Sequence, residues 1–224
     1  MGMVKQHWHE TLTELAAAGD PDEIFDFIQA CVCGDNMIPA SFIPQVKTWK
    51  FGAAQGDGEV KSFPVSCGGM DIVLSIQGCL SPFNASSLND SARKTLTLRL
   101  PQVWDGPFGE MEAALMKEAA DHSPALFGEK LSEDQLLERY KPLTKKTGEY
   151  PRQLKAKMNT NGFYAVRFWN SERIRVDAPS DCGGLLFNAV LKIRAMWVSA
   201  EAFGLVCDAT DLQLLESAQV ECPF

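Results

Sequence analysis

The chain has 224 residues, 46% of them hydrophobic and 22% charged, and a formal net charge of −8. Those values fit one large domain, or one domain with an accessory element. They exclude non-specific coating of DNA by the whole surface, and no apolar run approaches the roughly 20 residues of a membrane-spanning helix.

The first 33 residues carry a helical pattern: Trp8, Leu12 and Leu15 share one face, and Asp20-Pro21-Asp22-Glu23 is a helix restart with Asp as N-cap and Pro at the first position. Ile24, Phe27, Ile28 and Cys31 continue on a shared face. From residue 34 to 100 the period changes, and Val46-Phe51, Met70-Ile76 and Thr95-Leu100 are expected strands separated by Gly- and Ser-rich pieces. A helical insertion follows. Phe108, Met111 and Leu115 share a face, and Ser132-Glu133-Asp134-Gln135 is a capping box for a helix that runs to about Tyr140. Expected strands then succeed one another at Arg152-Met158, Phe163-Trp169, Arg173-Asp177, Asn188-Val198 and Phe203-Leu215, with turn chemistry at Asn159-Gly162 and Asn170-Ser171. Such a meander suggests a barrel or sandwich.

Charge is distributed unevenly. Residues 141–200 hold eleven Lys and Arg against four acids, +7 in a chain of −8, which leaves −15 to the remainder. Alternation sorts these cations onto faces. Lys155 and Lys157 lie opposite Leu154, Ala156 and Met158; Arg173 and Arg175 lie opposite Ile174 and Val176; Lys192 and Arg194 lie opposite Leu191, Ile193 and Trp197. In Phe163-Trp169, the residues Phe163, Arg167 and Trp169 share one face, while Tyr164, Val166 and Phe168 read as core, as does Trp197. A solvated face normally mixes both signs. A face of cations with rings among them instead suits a single-stranded nucleic acid, whose bases stack on aromatics while its phosphates meet Lys and Arg.

Other constellations carry less. His7, His9, Cys31 and Cys33 fit no common zinc spacing, no phosphate-binding glycine loop occurs, and no catalytic set emerges, so neither metal, cofactor nor enzymatic activity is expected. Seven cysteines without a CxxC, behind an N-terminus lacking an apolar signal core, point to reduced thiols and an intracellular location.

The succession Thr95-Leu-Thr-Leu-Arg-Leu-Pro101, helical insertion, Tyr140-Lys-Pro-Leu143 and basic strands resembles the replication single-stranded-DNA-binding proteins of podophages and of nucleocytoplasmic large DNA viruses. Tyr150-Pro-Arg-Gln-Leu-Lys-Ala-Lys157 and Leu186-Trp197 followed by Phe203-Gly204-Leu205 carry most of the likeness, which spans about residues 93 to 216. It implies an OB-fold barrel of about five strands that binds single strands without sequence preference, works with replication proteins in the cytoplasm or nucleus of a host cell, and catalyses nothing. Such proteins often end in an acidic tail closed by an aromatic residue that contacts replication partners, and the ending Val220-Glu-Cys-Pro-Phe224, with its terminal Phe after Pro, also resembles the tail tip of bacterial single-strand-binding proteins; a chance ending or a folded last strand is the alternative.

The expected organisation is therefore mainly β with helical insertions: a helical N-terminal extension over 1–40, an OB-fold domain over 41–216 with its helical insertion after the first barrel strand, and a tail over 217–224. The expected nucleic-acid-binding residues are Lys155, Lys157, Phe163, Arg167, Trp169, Arg173, Arg175, Lys192 and Arg194, with Phe224 as a partner contact. Homo-oligomerisation stays open. The competing reading is an OB-like protein-interaction module that does not bind nucleic acid.

Overall fold

A computed structural model describes residues 49–56, 58–87 and 92–215. The expected N-terminal helical extension, the His7, His9, Cys31 and Cys33 set and the expected tail with Phe224 lie outside the described residues. In chain order the elements are β1 (Trp49–Phe51), β2 (Lys61–Cys67), β3 (Ile72–Leu80), β4 (Ser86–Ser87), β5 (Arg93–Arg99), α1 (Asp105–Asp121), α2 (Ser123–Phe127), α3 (Glu133–Arg139), β6 (Tyr140–Lys141), β7 (Thr144–Lys145), β8 (Gln153–Asn159), β9 (Arg167–Trp169), β10 (Arg175–Val176), β11 (Leu186–Val198) and β12 (Phe203–Leu215).

Five strands close into a ring. β3 pairs with β5, β5 with β8, β8 with β12, β12 with β11, and β11 returns to β3. All of these pairings are antiparallel except β8 with β12. By chain order the ring runs first, second, third, fifth, fourth, the Greek-key closure of an OB-type barrel. The helical insertion follows β5, as its position after Thr95-Leu100 implies, and β3 precedes it as the first strand of the ring. The β1–β2 hairpin extends the sheet outward from the C-terminal half of β11.

The barrel fills because each ring strand alternates. Ile72, Leu74, Ile76, Leu96, Leu98, Leu154, Ala156, Phe187, Leu191, Ile193, Cys207 and Leu212 point inward and are almost fully buried. Each large apolar side chain among them contributes about 1.5–3 kcal/mol relative to exposure. Two bulges in the β11–β12 pair then decide what faces out. Val190 and Leu191 pair with Asp211 and Ala209, leaving Thr210 as an extra residue whose hydroxyl donates to the Val190 carbonyl at 3.1 Å. Ile193 and Ala195 pair with Cys207 and Val206, leaving Arg194 extra.

The second bulge inverts the alternation of β11. Ala195 and Met196 are both buried, and Trp197, read from sequence as core, turns outward and is only half-buried. Its ring lies over Gly204: a Cβ there would sit 3.0 Å from the indole Nε1 and 2.8 Å from the Lys141 carbonyl oxygen, so the glycine permits the close approach.

The insertion packs through one stripe of α1, formed by Phe108, Met111, Leu115, Met116 and Ala119. α3 begins on a complete capping box: the Ser132 hydroxyl accepts from the Gln135 amide at 3.3 Å, and the Gln135 side chain accepts from the Ser132 amide at 2.9 Å. Phe203, at the start of β12, meets Phe127 and Tyr140 with ring centroids 5.1 and 5.3 Å apart, which places the insertion at that end of the barrel.

Candidate nucleic-acid interface

Strand register brings β5 and β8 together as a two-stranded ribbon whose outer face sets two Thr–Lys pairs between flanking arginines of β5. Arg93, Thr95, Thr97 and Arg99 stand opposite Asn159, Lys157, Lys155 and Gln153. Lys155 and Lys157 are exposed, and the Lys157 ammonium donates to the Thr95 hydroxyl at 2.9 Å. This ribbon occupies the second and third strands of the barrel, the face on which OB folds take oligonucleotides.

β9 continues along the same edge of β12 that β8 uses. Asp208 pairs in register with Lys157, then Asp211, Leu212 and Gln213 pair with Arg167, Phe168 and Trp169. Phe168 points inward and is buried, so Arg167 and Trp169 face out. Arg167 forks onto Asp211, Nε to Oδ1 at 2.7 Å and Nη2 to Oδ2 at 2.8 Å. The Trp169 indole N–H donates to the same Oδ1 at 2.9 Å, and the Arg167 guanidinium carbon lies 5.9 Å from the centroid of the Trp169 ring. Arg175 is exposed and pairs with Trp169 across the β9–β10 hairpin, whose turn holds the exposed Arg173.

The structure thus gathers Lys155, Lys157, Arg167, Trp169, Arg175 and Arg194 on one outer face, with Arg173 at the adjoining turn. Lys192 lies beside Asp208 in register, but its ammonium is engaged by the Asp71 carboxylate. Phe163 does not lie on a strand. The strand expected from Phe163 begins only at Arg167, because residues 160–165 loop out before the Val166 amide rejoins Asn159 at 2.9 Å. Phe163 is 95% exposed in that loop. Tyr164, expected in the core, is 78% exposed with its ring edge-on to Phe163 at 5.2 Å. Both rings stand at the Arg93 and Asn159 end of the ribbon, where Thr160 is held by two hydrogen bonds to the Ala92 carbonyl, each at 2.8 Å.

The acids of this face come from β12. Asp208 accepts from Arg93 and from Arg194 at 2.7 Å each, and Asp211 holds Arg167. The face of cations expected from sequence therefore carries acids as well: both carboxylates lie beyond the basic stretch 141–200, and only the Thr210 bulge brings both of them outward. Arg93 and Arg99 were likewise outside that stretch, although their alternation with Leu96 and Leu98 marks their face.

Three of the described thiols, Cys79, Cys182 and Cys207, are buried. Burial pushes the Cys79 thiol up to about 12, and burial, then the neighbouring Asp208, pushes Cys207 upward. Burial followed by Asp181 raises Cys182 against the opposing influence of Lys94. Thiols so raised stay protonated and are poor nucleophiles and ligands.

No protein-family model matches the chain, and no curated protein matches it in sequence. Among solved structures, the chain is similar to the single-stranded DNA-binding protein of bacteriophage Enc34 in complex with ssDNA, with a TM-score of 0.41 and 12% identity over 74% of this chain and 95% of that one. It is also similar to gp2.5, a single-stranded DNA binding protein encoded by bacteriophage T7, with a TM-score of 0.42 and 13% identity over 64% of this chain and 86% of that one.

Proposed function

We propose that the protein binds single-stranded DNA without sequence preference and serves replication, recombination or repair by holding strands rather than by chemistry. The observation that carries this reading is the outer face of β5, β8, β9 and β12. There Arg167 and Arg175 flank the Trp169 ring, Lys155 and Lys157 continue the face along β8, and the Phe163 and Tyr164 rings protrude from the loop between β8 and β9. Cations spaced along two adjacent strands follow a phosphate backbone, and rings accept any base because every base has a π-face. The place in replication rests on the sequence resemblance, and Phe224 is the proposed contact for replication proteins.

The test is a titration of full-length protein with oligo-dT and oligo-U at two salt concentrations, followed by tryptophan fluorescence. Binding of oligo-dT that weakens steeply with salt is expected, and the Trp169→Ala plus Arg173→Ala variant is expected to lose most of it. Absence of any salt-sensitive binding at low ionic strength sinks the proposal.

A second reading has its own observation. Arg167, Lys192 and Arg194 already carry carboxylate partners, and the two most exposed rings among the described residues, Phe163 and Tyr164, sit on a loop. An interaction module would use those rings to hold a protein. Capture of a partner that survives nuclease treatment, with no oligonucleotide affinity, selects it.

A further inference from the structure

We infer that Asp211 is a positioning residue of this interface: one buried carboxylate fixes the Arg167 guanidinium and the Trp169 indole as a preassembled platform for a nucleobase. The inference rests on the single-strand binding proposed above. A carboxylate in a phosphate-binding face is unfavourable on charge alone, so its presence calls for a local reason. Both of its oxygens are used: Oδ1 accepts from Arg167 Nε at 2.7 Å and Trp169 Nε1 at 2.9 Å, and Oδ2 accepts from Arg167 Nη2 at 2.8 Å.

The side chain of Asp211 is only 9% exposed while that of Arg167 is 38% exposed, so the carboxylate lies beneath and the cation above it. A fork of parallel N–H donors fixes the plane of a guanidinium as well as its position. The indole is anchored by its N–H edge, with the Arg167 guanidinium over one face of the ring, so the opposite face is the one left to make contact. The rotamer-rich Arg167 side chain and, to a lesser degree, the Trp169 ring therefore lose their freedom before a strand arrives, which removes that cost from binding. Asp208 holds Arg93 and Arg194 in a similar way but holds no ring.

Charge and positioning predict opposite signs for the same substitution. If Asp211 acts only as a charge, Asp211→Asn makes the face more cationic, so oligo-dT binds more tightly and with steeper salt dependence. If it positions the platform, binding weakens in spite of the added positive charge. The experiment compares full-length wild type, Asp211→Asn, Arg167→Lys, Asp208→Asn and Trp169→Phe by anisotropy and tryptophan quenching with oligo-dT at one salt concentration, alongside thermal melts.

The expected result is that Asp211→Asn weakens binding by at least about fivefold, the size of one lost stacking contact. The quenching that Trp169 contributes, read as the difference from Trp169→Phe, shrinks with it. Arg167→Lys keeps the charge but not the fork and weakens binding in the same way, whereas Asp208→Asn does not weaken it. If Asp211→Asn melts below the assay temperature, Arg167→Lys, which leaves the carboxylate in place, decides. Undiminished affinity and quenching in Asp211→Asn overturn the positioning role alone; a wild type that does not bind overturns the proposed function instead.

Discussion

Arg173 is the one non-glycine residue with positive φ among the described residues, at 65°. Its setting explains why. The Asn170 amide donates to the Ile174 carbonyl at 3.0 Å and the Arg173 amide to the Asn170 carbonyl at 3.0 Å, so the β9–β10 hairpin closes on the Asn170–Ile174 pair around a three-residue loop. Such loops end on a residue in the left-handed region, where glycine or asparagine is at ease and most other residues lose about 1 kcal/mol. An arginine at this position holds an exposed cation at the tip of the hairpin beside Trp169 and Arg175, at a cost in stability. Arg173→Asn is therefore expected to raise stability by up to about 1 kcal/mol in a calorimetric melt and to weaken oligo-dT binding in parallel. A variant that gains stability and keeps full affinity shows that the Arg173 cation does not contact the strand.

Between elements, one carboxylate ties the helical insertion to the strands that carry the interface. Asp105, in the first turn of α1, pairs with Lys146 after β7 and, at 3.2 Å, with Arg152 before β8. The hydrogen bond from Lys146, then that from Arg152, holds its carboxyl below the usual value of 3.8 against an opposing desolvation. A depressed carboxyl contributes stability above its unfolded pKa and loses it as pH falls through the folded one. Wild type is thus expected to melt above Asp105→Asn at every pH higher than about 4, and the gap is expected to close on further acidification. A gap that does not change with pH assigns the effect to packing.

These elements were legible in the sequence to different degrees. β8 and β12 stand out because Leu154, Ala156 and Met158, and then Cys207 and Ala209, alternate without interruption. The Ser132 capping box was legible because it is a local pattern. β2 was not, since Pro64 within it lowers its strand signal. The outward turn of Trp197 depends on a bulge, which is a property of the β11–β12 pair and of neither strand alone.

At the scale of the whole molecule, what the sequence could not reveal is which charges meet. Asp71 to Lys192, Asp208 to Arg93 and Arg194, and Asp211 to Arg167 join residues far apart in the chain. Segment-wise counting saw a block of +7 in a chain of −8, and the fold answers part of that block with carboxylates. The consequence is measurable. A cation already neutralised by a carboxylate neutralises little phosphate charge and so releases few of the strand's condensed counterions, and binding at that site adds little to the salt dependence. Lys155, Lys157, Arg173 and Arg175 carry no ion pair to another described residue. With about 0.7 of a slope unit per neutralised phosphate of a single strand, those four predict a log–log salt slope of roughly −3, whereas full use of the four paired cations as well predicts roughly −6. Replacing Asp71 and Asp208 together by Asn releases Lys192 and Arg194 from their carboxylates and is expected to steepen the slope to roughly −4. Anisotropy titrations with oligo-dT over a series of sodium chloride concentrations read both slopes. A wild-type slope already near −6 shows that the strand displaces the carboxylates and that the pairs dissolve on binding.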